Sequence, residues 1–326
     1  MKILLTGSTG WLGRHLAPLL KQSGHNTVGL DVAPGPYTHV IGSVADRPLI
    51  DRTFSDHNIE AVIHAGALHK PDIARFPRQS FIDVNVTGTL NLLEAACAAG
   101  HDRFVMTSTT SLMISQAIRD EVSDVAVWLD EDHGPLAPRN IYGVTKLAAE
   151  NLCRQFALET TLNCIVLRTS RFFPEDDDTL TQPSPENLKA NEFLHRRLTV
   201  QDAARAHVAA LDKAGGIGFG LYIASAPTPF DRTDCADLKR DAASVISRSF
   251  PCAVDIYMRK GWTLPRQISR IYDASRIERD LGFSFETRFG DILDALVNGA
   301  PLPFSQDSSY QSPSLSAQEN ISRTPD

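Results

Sequence analysis

Thr6-Gly7-Ser8-Thr9-Gly10-Trp11-Leu12-Gly13 follows the apolar run Ile3-Leu4-Leu5 and precedes a segment in which Leu12, Leu16, Leu19 and Leu20 recur at helical spacing. The glycines therefore sit between a predicted strand and a predicted helix. In such a turn the first glycine permits the tight bend, the second lets backbone N–H groups approach a pyrophosphate, and the third allows close packing of helix on strand. Gly7, Thr9, Gly10, Trp11, Leu12 and Gly13 are accordingly candidate cofactor-binding residues. The second predicted strand, Thr27–Leu30, runs into Asp31, 18 residues after Gly13, where a carboxylate binds the adenosine ribose hydroxyls of a dinucleotide. A 2′-phosphate would meet like charge there, and Val32-Ala33-Pro34-Gly35 brings no cation, so the pattern favours NAD. Arg14 offers a positive charge from another direction and leaves NADP open.

Working outward, further apolar runs suited to buried strands stand at Ala61–Ala65, Arg103–Ser108 and Asn163–Arg168, mostly separated by segments long enough for helices. Parallel strands need such crossovers, so residues 1–170 predict an α/β, Rossmann-type doubly wound parallel sheet. From Phe172 to about Asn191 the acidic run Glu175–Asp178 and several prolines predict an irregular loop over the strand ends. Residues 171–303 read as a smaller, mixed α/β substrate-binding region, some of whose elements return to the first domain. Its expected helices are Asp202–Lys213, Ala236–Ser247, Ala274–Leu281 and Phe289–Asn298, and its expected strand is Phe219–Ile223. Residues 304–326, rich in Ser, Gln, Asn, Asp and Pro, predict a disordered tail.

Composition narrows the class. The 326 residues carry 32 Lys and Arg against 39 Asp and Glu, and a net charge of −7 repels nucleic acid and anionic membrane surfaces. Five scattered cysteines form no Cys-x-x-Cys pair, which argues against a disulfide framework or zinc site and fits a reducing cytoplasm. No metal-binding constellation is evident. The opening apolar run is too short for a signal-peptide core or a membrane span.

Tyr142-Gly143-Val144-Thr145-Lys146 opens a segment of helical character that continues to Glu159. Spacing of four places the phenol and the ammonium one turn apart on one face, so both can act on the same small volume. A nearby ammonium and an oxidised nicotinamide both favour the phenolate, which lowers the tyrosine pKa and makes Tyr142 an acid–base for an alcohol. Lys146 can also donate to the nicotinamide ribose. His64 and His69 flank this region and read as packing or solvent-facing histidines.

With these pieces in order, the sequence resembles the short-chain dehydrogenase/reductase superfamily, specifically its extended branch, the NAD-dependent epimerase/dehydratase family. The resemblance covers roughly the first 170 residues. It is carried by the glycine turn, Val62-Ile63-His64-Ala65-Gly66-Ala67, Asn85-Val86-Thr87-Gly88-Thr89, Thr107-Ser108-Thr109 and the Tyr142/Lys146 pair. It implies that Ala65, Gly66, Ala67 and Asn85 border the cofactor and that Thr109 is the catalytic hydroxyl, with Ser108 as the alternative. Homodimerisation through the segments 77–99 and 142–159 is also implied, although their apolar faces would equally serve the monomer's core.

Family members that dehydrate hexoses resemble one another in carrying an Asp-Glu pair after the catalytic hydroxyl. Here Thr110-Ser111 stands instead, which makes dehydration the least favoured reaction. Oxidoreduction needs only Thr109, Tyr142, Lys146 and the cofactor, whereas epimerisation adds room for a keto intermediate to turn over. Where nucleotide-sugar epimerases of the family have an Asn, this chain has Arg171, in a segment similar to that of uronate dehydrogenases. Thr110, Arg171 and Arg197 are the further candidate substrate-binding residues, and two parallel guanidinium hydrogen bonds suit a carboxylate or phosphate. The alternative is that these arginines pair with Glu175–Asp178 at the surface. The expected function is NAD-dependent hydride transfer on a sugar-like, anionic small molecule. The rival readings are a nucleotide-sugar epimerase and a dinucleotide-sensing protein without chemistry.

Overall fold

The computed structural model describes residues 1–175, 183–305 and 307–313. Nine strands occur among them: β1 (Lys2–Thr6), β2 (Asn26–Asp31), β3 (Val40–Ile41), β4 (Ala61–His64), β5 (Arg103–Thr109), β6 (Val127–Leu129), β7 (Asn163–Thr169), β8 (Phe219–Ala224) and β9 (Arg270–Tyr272). Seven form one parallel sheet in the order β3-β2-β1-β4-β5-β7-β8, with the order reversing beside β1, as a doubly wound sheet requires. The remaining pair, β6 and β9, makes a separate two-stranded parallel sheet.

Alternation along the strands explains why both faces are covered. Leu4, Val62, Phe104 and Val166 point into one apolar layer with Leu92, Leu93 and Cys153, while Ile3, Leu5, Ile63, Val105 and Ile165 point into the other. In that second layer the helix Trp11–Gln22 lies against the helix Val200–Lys213, burying Leu16 and Leu20 with Val208 and Leu211. A separate core built around Phe193, Leu238, Ile246, Tyr257 and Phe289 holds the C-terminal region together. Strand β8, expected in the smaller region, is the edge strand of the main sheet. The segment expected to be irregular, Phe172 to about Asn191, contains the helix Pro185–Glu192, capped by the Ser184 side chain. Residues 176–182, and with them Asp176–Asp178 of the acidic run, lie outside the described residues.

The stretch expected as a disordered tail differs over the part that is described. Phe304 is buried against Phe193, and residues 307–313 pack near the glycine turn, with Tyr310 beside Trp11. Residues 306 and 314–326 lie outside the described residues. Among those described, no helix is long and apolar enough to cross a membrane.

His207, on the helix behind β5, is fully buried. Its Nδ1 donates to the Ala203 carbonyl at 2.7 Å, so its Nε2 accepts from the Thr107 hydroxyl at 2.7 Å. Burial pushes its pKa down to about 4. The unfolded chain therefore takes up a proton below about 6.5 that the folded chain refuses until about 4, and stability falls as pH drops through that window. The His207→Gln variant should lose less stability than the wild type between pH 7 and 5, by roughly 2 kcal/mol, in urea titrations. Parallel losses in the two proteins would show that the imidazole is not held neutral.

Candidate active site

The glycine turn joins β1 to its helix at the sheet's point of reversal. Gly7 has φ +73°, and a Cβ placed on it would lie 2.7 Å from the Gly66 nitrogen. Gly13 is tighter still, because an added Cβ would lie 2.1 Å from the Gly7 carbonyl oxygen. The cleft beside this turn is therefore walled by backbone from two strand ends. Gly7, Gly10, Trp11, Leu12, Gly13, Asp31, Ala65, Gly66, Ala67, Tyr142 and Lys146 all line it. The glycine cradle, the Asp31 carboxylate and the helix start fit a dinucleotide, with the pyrophosphate against the turn.

Asp31 also braces the turn, since its carboxylate accepts the Thr9 and Ala33 N–H groups at 3.0 and 3.2 Å. Thr9 points away from the cleft: its hydroxyl donates to the Ala33 carbonyl at 2.9 Å. Asn85 is likewise a brace. It is fully buried in a π-helical turn, its amide bonds the Leu68 N–H and carbonyl at 2.9 Å each, and its Nδ2 reaches the Thr145 hydroxyl at 3.1 Å. The side chain ties the wall after β4 to the tyrosine–lysine helix.

His64 fixes Gly66 by a traceable proton sequence. The Thr89 hydroxyl gives its proton to the Asn85 carbonyl, so it accepts from His64 Nε2 at 3.1 Å. His64 Nδ1 then accepts from the Thr6 hydroxyl at 2.8 Å, and that oxygen accepts the Gly66 N–H at 3.0 Å. Burial and the Lys146 charge push this imidazole down to about 3, so it stays neutral.

Tyr142 and Lys146 lie on the helix Ile141–Glu159, which begins at the Asn140 cap, whose side chain accepts the Gly143 N–H at 2.9 Å. Burial pushes the Tyr142 phenol up to about 12; its hydrogen bond with the Thr109 hydroxyl offsets part of this, and the Asp72 carboxylate adds to it. The expected lowering by Lys146 is thus reversed here, because desolvation of the phenol dominates. Lys146 is itself buried and brought down to about 8, with Cys153 and Glu150 opposing the shift. The two hydroxyls have different surroundings: Ser108 donates to Glu150 at 2.5 Å, and Glu150 is held by Arg168 at 2.7 Å, whereas the Thr109 hydroxyl faces the Tyr142 phenol. Thr110 is buried behind them and donates to the Thr169 carbonyl at 3.4 Å.

Among the described residues the arginines converge on the Glu192 carboxylate, while Asp176–Asp178 of the acidic run lie outside the described residues. Glu192 is 1% exposed and takes Arg171 at 3.3 Å, Arg196 at 3.0 Å and Arg197 at 2.8 Å. Arg197 is 2% exposed and also donates to the Phe173 carbonyl at 2.6 Å, so it braces the loop after β7. Arg171 keeps its side chain 43% exposed.

His69, expected as a packing or solvent-facing histidine, lines the same cleft. Its Nδ1 is bonded to the fully buried Asp72 at 2.6 Å, its ring lies against Phe173, and its Nε2 is solvent-accessible. The spacing His69-Lys70-Pro71-Asp72, a capping pair around a short 3₁₀ turn, was the available signal.

Residues 3–190, more than half of the chain, match the family described as NAD dependent epimerase/dehydratase. The chain is 31% identical over 173 residues to a UDP-glucose 4-epimerase of Rhizobium meliloti (strain 1021), spanning 51% of this chain and 50% of that protein. It is 30% identical over 188 residues to an L-arabinose 1-dehydrogenase (NAD(P)(+)) of Haloferax volcanii, spanning 54% of this chain and 69% of that protein. The chain thus spans about half the length of the Rhizobium and Azospirillum UDP-glucose 4-epimerases it matches. In fold it is similar to a short-chain dehydrogenase/reductase superfamily protein from Agrobacterium tumefaciens solved with bound NAD, at TM-score 0.63 and 23% identity over 91% of this chain and 96% of that one. A UDP-glucose 4-epimerase from Bifidobacterium longum, solved with NAD+ and UDP, gives TM-score 0.62 and 18% identity over 91% and 97%. On the sequence match and the glycine-turn sheet together, the chain belongs to the NAD-dependent epimerase/dehydratase family.

Proposed function

We propose that this protein is an NAD-dependent oxidoreductase or epimerase acting at a hydroxyl-bearing carbon of a sugar-like, anionic substrate. The observation that carries the reading is that Tyr142 and Lys146 line one cleft with the glycine turn. When bound, the oxidised dinucleotide supplies the hydride acceptor and a positive ring charge in that cleft. Tyr142 receives the proton of the substrate hydroxyl, Thr109 steadies the same oxygen through its bond to the phenol, and Lys146 orients and tunes the pair. His69, whose Nδ1–H donates to Asp72, offers Nε2 as an acceptor to a second substrate hydroxyl. The anionic preference is supported by Arg171, just after β7, whose guanidinium side chain stays 43% exposed.

Nucleotide-sugar epimerisation is the second reading, favoured by the UDP-glucose 4-epimerase relatives, and it uses the same Tyr142, Lys146 and Thr109. The test is to incubate the purified full chain with NAD and matched sugar acids, neutral sugars and nucleotide sugars, following NADH absorbance and separating products. Sustained NADH formation with a sugar acid, well above its neutral counterpart, is expected. Equal rates on acid and neutral sugar would remove the anionic preference. Conversion of a nucleotide sugar to its epimer without net NADH would replace oxidoreduction by epimerisation, and no conversion of any class would overturn the enzymatic reading.

A further inference from the structure

The segment 307–313 returns to the cofactor cleft from the far end of the chain. The Asp307 N–H donates to the Pro174 carbonyl at 3.0 Å, which anchors the segment to the loop after β7. The Ser309 N–H and hydroxyl donate to the Asp307 carboxylate at 2.9 and 2.6 Å and fold the chain into a turn. That turn sets Tyr310 on the glycine turn. The Trp11 N–H donates to the Tyr310 hydroxyl at 3.1 Å, the two rings meet edge-on at 5.3 Å, and the Arg14 guanidinium lies over both, 5.7 and 5.5 Å from their centres. Tyr310, Ser312 and Pro313 line the cleft together with Gly7, Gly10 and Asp31.

Trp11 is the first residue of a 12-residue helix whose cap, Gly10, has no side chain to occupy the free N–H groups. Such groups have no acceptor within the helix, and in a glycine turn after β1 they are the donors a pyrophosphate takes. The Tyr310 oxygen stands where a phosphate oxygen would: an acceptor at hydrogen-bonding distance, with a guanidinium alongside. We infer that residues 307–313 form a gate over the pyrophosphate subsite, in which the Tyr310 hydroxyl holds the Trp11 N–H in place of a phosphate oxygen and is displaced when a dinucleotide binds. One N–H cannot serve both oxygens at full strength, so closure of the gate lowers the apparent cofactor affinity by the fraction of molecules that are open. Displacement also frees Arg14 from the tyrosine ring to face the incoming phosphates.

The inference rests on the proposed dinucleotide binding and is independent of the substrate, so NAD alone tests it. Tyr310→Phe keeps the ring and deletes the acceptor. Asp307→Pro deletes the anchoring N–H at a site remote from the glycine turn. Calorimetric titration of the full chain should show NAD binding about three- to tenfold tighter in Tyr310→Phe, the size of one hydrogen bond no longer broken, and tighter in Asp307→Pro as well. Hydrogen exchange on the wild type should show amides 308–313 exchanging faster once NAD is added. Unchanged or weaker NAD binding in both variants, or protection of those amides by NAD, would overturn the gate. If no form of the protein binds NAD, the gate falls together with the cofactor assignment, whereas NAD binding without these shifts overturns the gate alone.

Discussion

Replacing Tyr142 by Phe is expected to lower turnover by about 10²–10⁴-fold while leaving NAD affinity within about twofold and the melting temperature within a few degrees. The change deletes one oxygen, the proposed acid–base group beside Thr109; the ring and the helix Ile141–Glu159 keep their packing. The state of the proton sets the direction. With burial holding the phenol near 12, Tyr142 is a proton donor at neutral pH, matched to reducing a carbonyl, whereas oxidising an alcohol requires the phenolate. Oxidation should therefore accelerate as pH rises above 7 and carbonyl reduction should not, when both directions are followed by NADH absorbance. In Tyr142→Phe the pH dependence of oxidation should disappear with the activity. Full activity in this variant, with NAD bound normally, would move the acid–base role to another residue, and His69, oriented by Asp72 in the same cleft, is the side chain placed to take it.

What the sequence made legible is what local pattern encodes. The glycine turn, the strand end at Asp31 and the face shared by Tyr142 and Lys146 each follow from spacing within one element, and the structure places them around one cleft. The strands β3, β6 and β9 are two or three residues long, too short for alternation to register. Partner choice over long distances was equally hidden. Arg197 had carboxylates available in the loop at 175–178 and at Glu192, and nothing local says that the helix Pro185–Glu192 forms and buries the latter. Asn85 illustrates the same limit, because an amide beside a cofactor and an amide bracing two walls look alike in sequence, and only its bonds to Leu68 and Thr145 separate them. Tyr310 gave one faint signal, a large aromatic in a polar stretch, while the Trp11 partner that explains it lies 299 residues away.

Substituting Glu192 by Gln should cost on the order of 3–5 kcal/mol of folding stability, because it takes from buried Arg197 the carboxylate that, among the described residues, is in direct contact with it, and removes a shared counter-charge from Arg196 and Arg171. Against a typical total of about 5–15 kcal/mol, a loss of this size shows plainly in urea titrations. Burial alone would raise the Glu192 carboxyl, but the charges of Arg196, Arg171 and Arg197 outweigh it and hold the group at about 2. The unfolded chain binds that proton near 4.5, so the contribution is present above that pH and is lost as pH falls toward 2. Glu192→Gln should therefore flatten the acid limb of the wild-type stability profile. Adding Arg197→Met to Glu192→Gln should restore part of the loss, since a buried cation without its partner is the costly species and an apolar side chain of similar length is not. The consequence reaches the cleft, because Arg197 also holds the Phe173 carbonyl and Phe173 lies against His69. A loss below about 1 kcal/mol in the single variant, or no recovery in the double, would mean that the arginines are satisfied by other groups and that Glu192 does not organise the loop after β7.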